Sequence, residues 1–89
     1  MSVAALQWAW KRSVDRSSAK LVLLALADMS AEDDYVAHPT LKRLRELTGL
    51  HRSTLIGILN SLKAAGHIVP VGRRPQHGAV IYRLPVGVT

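Results

Sequence analysis

A chain of 89 residues and 9.7 kDa, 48% hydrophobic and 20% charged, has room for one modest core, which excludes a two-lobed enzyme and a disordered chain alike. Cysteine is absent, excluding disulfides, thiolate zinc and cysteine nucleophiles, and the longest strongly apolar run, Leu21 to Ala27, is far short of the roughly 20 residues that span a bilayer, so a cytoplasmic protein is expected. The net charge is +6: four basic against five acidic residues leave −1 over residues 1–37, and eight against one leave +7 over residues 38–89, so the second part is predicted to face a polyanion.

In chain order, Val3, Leu6 and Trp10 recur at helical spacing and predict a first helix seated by that stripe, with Trp8 on the spare face. Ser17 or Ser18 is the predicted cap of a second helix, and Ala19 to Met29 is apolar almost all round, the pattern of a buried central helix. Asp28 to Asp34 predicts a connecting loop and Tyr35-Val36-Ala37 a strand stub. Pro39 suits the first turn of a third helix, along which Leu41, Leu44 and Leu47 form one stripe before Gly49 ends it. After a turn of about three residues, Leu55, Ile58, Leu59 and Leu62 define the buried face of a fourth helix, Arg52 to Ala65, stopped by Gly66.

Beyond Gly66 the period falls to two. Ile68, Val69 and Val71 on one side and Val80, Ile81, Tyr82 and Leu84 on the other predict a hairpin with a basic tip, whose Pro70 demands an edge strand or an irregularity. There is no internal repeat and no linker. The expected organisation is one unit over residues 1–89: an N-terminal helix and linker to 16, a helical core over 17–66, a hairpin over 67–84 and a tail over 85–89.

Two helices joined by a tight turn, the second amphipathic and followed by a basic hairpin, form the arrangement that lays one helix in a DNA major groove while the other crosses the backbone. In Ala19 to Asp28, Pro39-Thr40, Leu44, Thr48-Gly49-Leu50, Arg52-Ser53-Thr54-Leu55, Leu59, Leu62, Ala65-Gly66 and Ile68, the chain resembles the winged helix-turn-helix proteins, in particular small domains of phage and plasmid replication proteins and their regulators. The likeness spans about residues 19–84. The ordered set is fairly specific for a mostly α fold with a small β-hairpin wing, and less so for the job.

The resemblance implies that Arg52 to Lys63 is the recognition helix. Arg52 is the first candidate for base contact, because a guanidinium donates two parallel hydrogen bonds to guanine O6 and N7. Ser53, Thr54, Asn60 and Lys63 follow on the exposed side, with Thr54 directed to phosphate or local backbone. Ile56 and Gly57 stand where relatives carry long polar residues; Ile56 suits a thymine methyl, Gly57 allows close approach, and a protein contact is the alternative for both. Thr40, Lys42, Arg43 and His51 are phosphate candidates, and Arg73, Arg74, Gln76 and His77 form the wing tip. The plain alternative is support of the helix start for Ser53 and a solvated polar surface for the other polar candidates. His51 replaces the usual Ser or Asp cap, and Arg45 replaces a small residue between the helices, where it must snorkel or meet phosphate.

His38, His51, His67 and His77 lack metal-ligand spacing, Glu32, Asp33 and Asp34 lack the alternation of a calcium loop, and no nucleophile and base can be paired. No metal, no cofactor and no enzyme activity are expected. Trp8 is the candidate for a second copy of the chain or another protein. The expected function is double-stranded DNA binding, as a small transcriptional regulator or the origin-binding domain of a replication initiator in a phage, plasmid or bacterium. The alternative is the same fold used as a protein-docking module.

Overall fold

The helical periods become α1 (Val3–Lys11), α2 (Ser17–Met29), α3 (Leu41–Thr48) and α4 (Arg52–Ala64), and the shorter-period stretches become β1 (Val36–Ala37), β2 (Val69–Arg73) and β3 (Val80–Arg83). The computed structural model describes residues 2–75 and 79–87; the candidates Gln76 and His77 and the end of the tail lie outside the described residues. The strands form one antiparallel sheet in the order β1-β3-β2, which together with the four helices is the winged helix-turn-helix arrangement.

The core lies along α2, whose Val22, Leu23, Leu26 and Ala27 are fully buried, and α1, α3, α4 and β1 all pack on that helix. In the predicted all-round apolar run Leu21 is the exposed large apolar side chain, at 41%, with Leu24 and Met29 half-buried. Among the described residues no helix is long and apolar enough to cross a membrane.

Four local expectations are corrected. The serines do not cap α2: Arg16 holds the cap position with no side-chain bond, and Ser17 and Ser18 lie inside the first turn. Pro39 precedes the helix it was assigned to. Thr40 is the cap of α3, its Oγ1 accepting from the Arg43 N–H at 3.1 Å, which leaves the buried Pro39 one residue outside. Leu47 continues the α3 stripe in sequence but stands 38% exposed, because eight residues give the helix only one buried position, Leu44.

The fourth correction turns α1 around. Ala5 and Ala9 are its buried residues, Leu6 and Trp8 straddle them half-buried, and Val3 and Trp10 are 62% and 65% exposed. Two alanines one turn apart let the backbones of α1 and α2 approach closely, and that contact outweighs the larger side chains in setting the rotation of the helix. Trp8, the predicted partner contact, is the seated indole; Trp10 carries the spare face.

Both ends of α1 are tied by polar groups that the apolar pattern does not advertise. The Ser2 Oγ accepts from the Ala5 N–H at 3.1 Å, and the Lys20 ammonium donates to the backbone carbonyls of Trp10 and Arg12, satisfying acceptors that a helix C-terminus leaves unpaired.

Between α2 and β1 the acidic loop is held by its own carboxylates. Asp34 Oδ1 accepts from the Val36 N–H at 3.1 Å and Asp33 Oδ1 from the Asp34 N–H at 2.9 Å. In the sheet, β1 and β2 flank β3, and the register slips between Pro70 and Gly72, so the edge position and irregularity required by Pro70 both occur in β2.

Candidate nucleic-acid interface

The turn between α3 and α4 is built from Thr48 to His51. Gly49 adopts φ +73°, a left-handed conformation that glycine enters without a side-chain penalty, while its N–H closes on the Arg45 carbonyl at 2.8 Å. The Thr48 hydroxyl donates to the Leu44 carbonyl at 2.6 Å and accepts from the Leu50 N–H at 3.2 Å, clipping the turn from inside. His51 caps α4 by backbone alone, with no side-chain acceptor for the first-turn N–H groups.

The phase of α4 follows from its four buried residues, Leu55, Ile58, Leu59 and Leu62. Turning 100° per residue, they place Ser53, Gly57, Asn60 and Ala64 outermost, with Arg52, Ile56 and Lys63 together along one shoulder. All seven are exposed, as is Thr54 on the opposite shoulder. The shoulder carrying Ile56 turns toward the wing. Thr40, Ile56, Asn60 and Arg73 line one cleft of about 240 Å³ at the junction of α3, α4 and the hairpin, above the buried Leu44, Leu59 and Tyr82. Lys63 meets Arg73 around a second hollow against the same strand residues, Val80 and Tyr82.

A third concavity wraps the turn, where Lys42, Arg45 and His51 converge with Gly49, Leu50 and the carboxylate-bearing Glu46. Arg45 is exposed, so the inter-helix position that takes a small residue in the resembled family holds no buried charge here. Lys42 and Arg43 are both exposed but, as consecutive residues, point about 100° apart, and only Lys42 joins this concavity. Arg74 is half-buried, its N–H closing the hairpin onto the Ala79 carbonyl at 2.8 Å. Trp8 stands half-buried on α1, whose packing partner is α2, whereas Ile56 and Gly57 are exposed on α4.

Burial pushes the Tyr82 phenol above its ordinary value, opposed by the nearby Arg73 guanidinium, so the floor between wing and α4 stays neutral at physiological pH and does not repel an anion. Arg12, at the end of α1, ties that helix to the turn after α4. Its Nε donates to His67 Nδ1 at 2.9 Å, a terminal nitrogen donates to the Gly66 carbonyl at 3.3 Å, and the guanidinium lies 5.0 Å from the Trp8 ring centroid. Neither Arg12 nor His67 was singled out for this role by sequence reasoning, since they are far apart in the chain and share no local pattern.

Burial, reinforced by the charges of Arg12 and Lys20 and opposed by Asp15, lowers the His67 pKa below 6.5, because the imidazole must stay neutral at Nδ1 to accept from Arg12. The unfolded chain therefore takes up this proton at a higher pH than the folded one. The contribution is complete above the unfolded value near 6.5, is lost as the pH falls toward the folded pKa, and is constant below it. Urea unfolding between pH 7 and pH 5 is expected to show His67→Asn, which keeps an acceptor near the Nδ1 position but cannot titrate, losing less stability than the parent. Equal losses in the two proteins would remove His67 from this role.

A family model described as a helix-turn-helix domain matches residues 16–68, rather more than half of the chain, from the cap of α2 to the turn beyond α4. No curated protein and no solved structure matches the chain.

Proposed function

Because the chain belongs to the helix-turn-helix domain family, we propose that it binds double-stranded DNA, with α4 in the major groove, the turn concavity on the backbone and the wing on an adjacent phosphate or minor groove. The observation that carries this reading is the gathering of cations around α4: Arg52 and Lys63 along its wing-side shoulder, Arg73 across the hollow, and Lys42 and Arg45 at the turn. Glu46 is the sole acidic residue after residue 37.

Each candidate takes a role set by its chemistry. Arg52 and Asn60 read base edges, Ser53, Thr54 and Lys63 serve backbone or base, Lys42 and His51 meet phosphate near the unpaired N–H groups of the first turn of α4, and Arg43 meets phosphate from the neighbouring face of α3. Thr40 joins them by donating its hydroxyl proton, which accepting from the Arg43 N–H leaves available. The biological setting is a small transcriptional regulator or the origin-binding part of a replication initiator, in a phage, plasmid or bacterium. It is supported by the resemblance carried by residues 19–84.

Fluorescence anisotropy of a labelled random-sequence duplex tests the reading. Neutralisation of about four to six phosphates predicts a log–log salt slope of roughly −4 to −5. Absence of binding at low salt would reject it. The exposed Val3 and Trp10 on one edge of α1 favour a second reading in that case, a docking module for protein, another copy of the chain included.

A further inference from the structure

The inference that follows rests on the duplex-binding reading of α4 and concerns what that helix reads. Within the exposed part of α4, Ile56 is the one large apolar side chain, 39% exposed, on the wing-side shoulder one turn before Asn60. Both residues line the cleft of about 240 Å³ at the junction of α3, α4 and the wing, whose deeper walls are the apolar Leu59, Val80 and Tyr82.

An apolar surface in water is ordinarily covered by an apolar partner, but the surroundings of this one select a polyanion. Arg52 stands four residues before Ile56, Lys63 seven residues after it on the same shoulder, and Arg73 across the cleft. Neither α4, β2 nor β3 carries an acidic residue, and Glu46 of α3 lines the concavity around the turn instead. The occupant must therefore present an apolar group among phosphates. The major groove of a DNA duplex offers one apolar group, the C5 methyl of thymine, and RNA lacks it. The neighbouring amide of Asn60 has the donor and acceptor that match adenine N6 and N7.

We infer that Ile56 is a specificity-determining residue that seats a thymine methyl in the cleft, with Asn60 reading an adenine of the same or the adjoining base pair. The domain thereby prefers an A·T-containing step at the centre of its site, where a helix bearing long polar residues would read by hydrogen bonds alone.

The test isolates the methyl group. The duplex that the protein itself enriches from a random 20-base-pair pool is made in two forms, one with thymine and one with deoxyuridine at every thymine position. Burying one methyl predicts that the parent binds the thymine form about threefold to fivefold more tightly. Ile56→Val, which keeps a branched apolar side chain, retains the preference, whereas Ile56→Ala binds both forms alike. Duplex binding with no difference between the forms would overturn the inference and leave the DNA reading standing. A preference that survives in Ile56→Ala would overturn the assignment to Ile56. Failure of the parent to bind any duplex at low salt would overturn the reading beneath both. Far-ultraviolet circular dichroism confirms that each variant is folded, as the exposure of Ile56 leads one to expect.

Discussion

Leu55→Ala lowers the free energy of unfolding by about 2–5 kcal/mol, measured by urea or thermal denaturation followed by circular dichroism. Leu55 is fully buried on the face of α4 that packs toward α2, alongside Ile58, Leu59 and Leu62. Truncation removes the transfer free energy of three carbons and leaves a void between two helices whose spacing is set by the remaining large side chains, so the void closes only in part. A domain of this length has a total stability of about 4–13 kcal/mol. The loss is thus a large share of the whole, and the midpoint of thermal unfolding falls by on the order of 10–30 °C. The adjacent Ile56→Ala supplies the control: its side chain points 100° away into the open cleft, and its truncation costs less than about 1 kcal/mol. If the exposed residue proved the more destabilising of the two, the rotation assigned to α4, and with it the placement of every candidate on that helix, would be wrong.

That rotation was legible in the sequence because four apolar residues at i, i+3, i+4 and i+7 leave one buried face, and no competing stripe exists between Arg52 and Ala64. The stop at Gly49, the strand stub at Val36 and the disruption at Pro70 were legible for a similar reason, since each follows from backbone chemistry within a few residues. α1 shows where such reading fails. Its sequence holds two stripes, the large Val3, Leu6 and Trp10 and the small Ala5 and Ala9, and the closeness that α2 permits decides between them. The tie between Arg12 and His67 is invisible for the same reason, because it exists only once α1 has been laid beside the turn after α4. In the candidate site, the exposure of Arg52, Ile56, Asn60 and Lys63 follows from the phase of α4 alone. Their convergence with Thr40 and Arg73 does not, since it depends on how β2 and β3 pair and where the sheet sits against the helices.

The division of labour proposed for α4 and the wing predicts two different failures. Arg73→Ala with Arg74→Ala is expected to weaken binding to all duplexes alike, by on the order of tenfold to a hundredfold at about 0.1 M salt, and to flatten the log–log salt slope by about 2. Both arginines stand at the hairpin, and in the proposed docking a charge placed there meets phosphate, whose position is the same for every sequence. The loss therefore grows as salt is lowered, because fewer counterions are released on binding. Arg52→Ala removes a donor at the first position of α4, the end of the helix proposed to face base edges, and its expected effect is to narrow the gap between preferred and random duplexes by about 1–3 kcal/mol. It shortens the salt slope by no more than about 1. Stability is spared in the Arg52 variant, whose side chain is exposed, and in the wing variant the Arg74 backbone N–H that closes the hairpin is retained by alanine. The two parameters, slope and discrimination, are read from the same anisotropy titrations. A wing variant that lost discrimination, or an Arg52 variant that weakened every duplex equally, would exchange the roles of helix and wing. Binding unchanged in both would remove this basic surface from DNA recognition altogether.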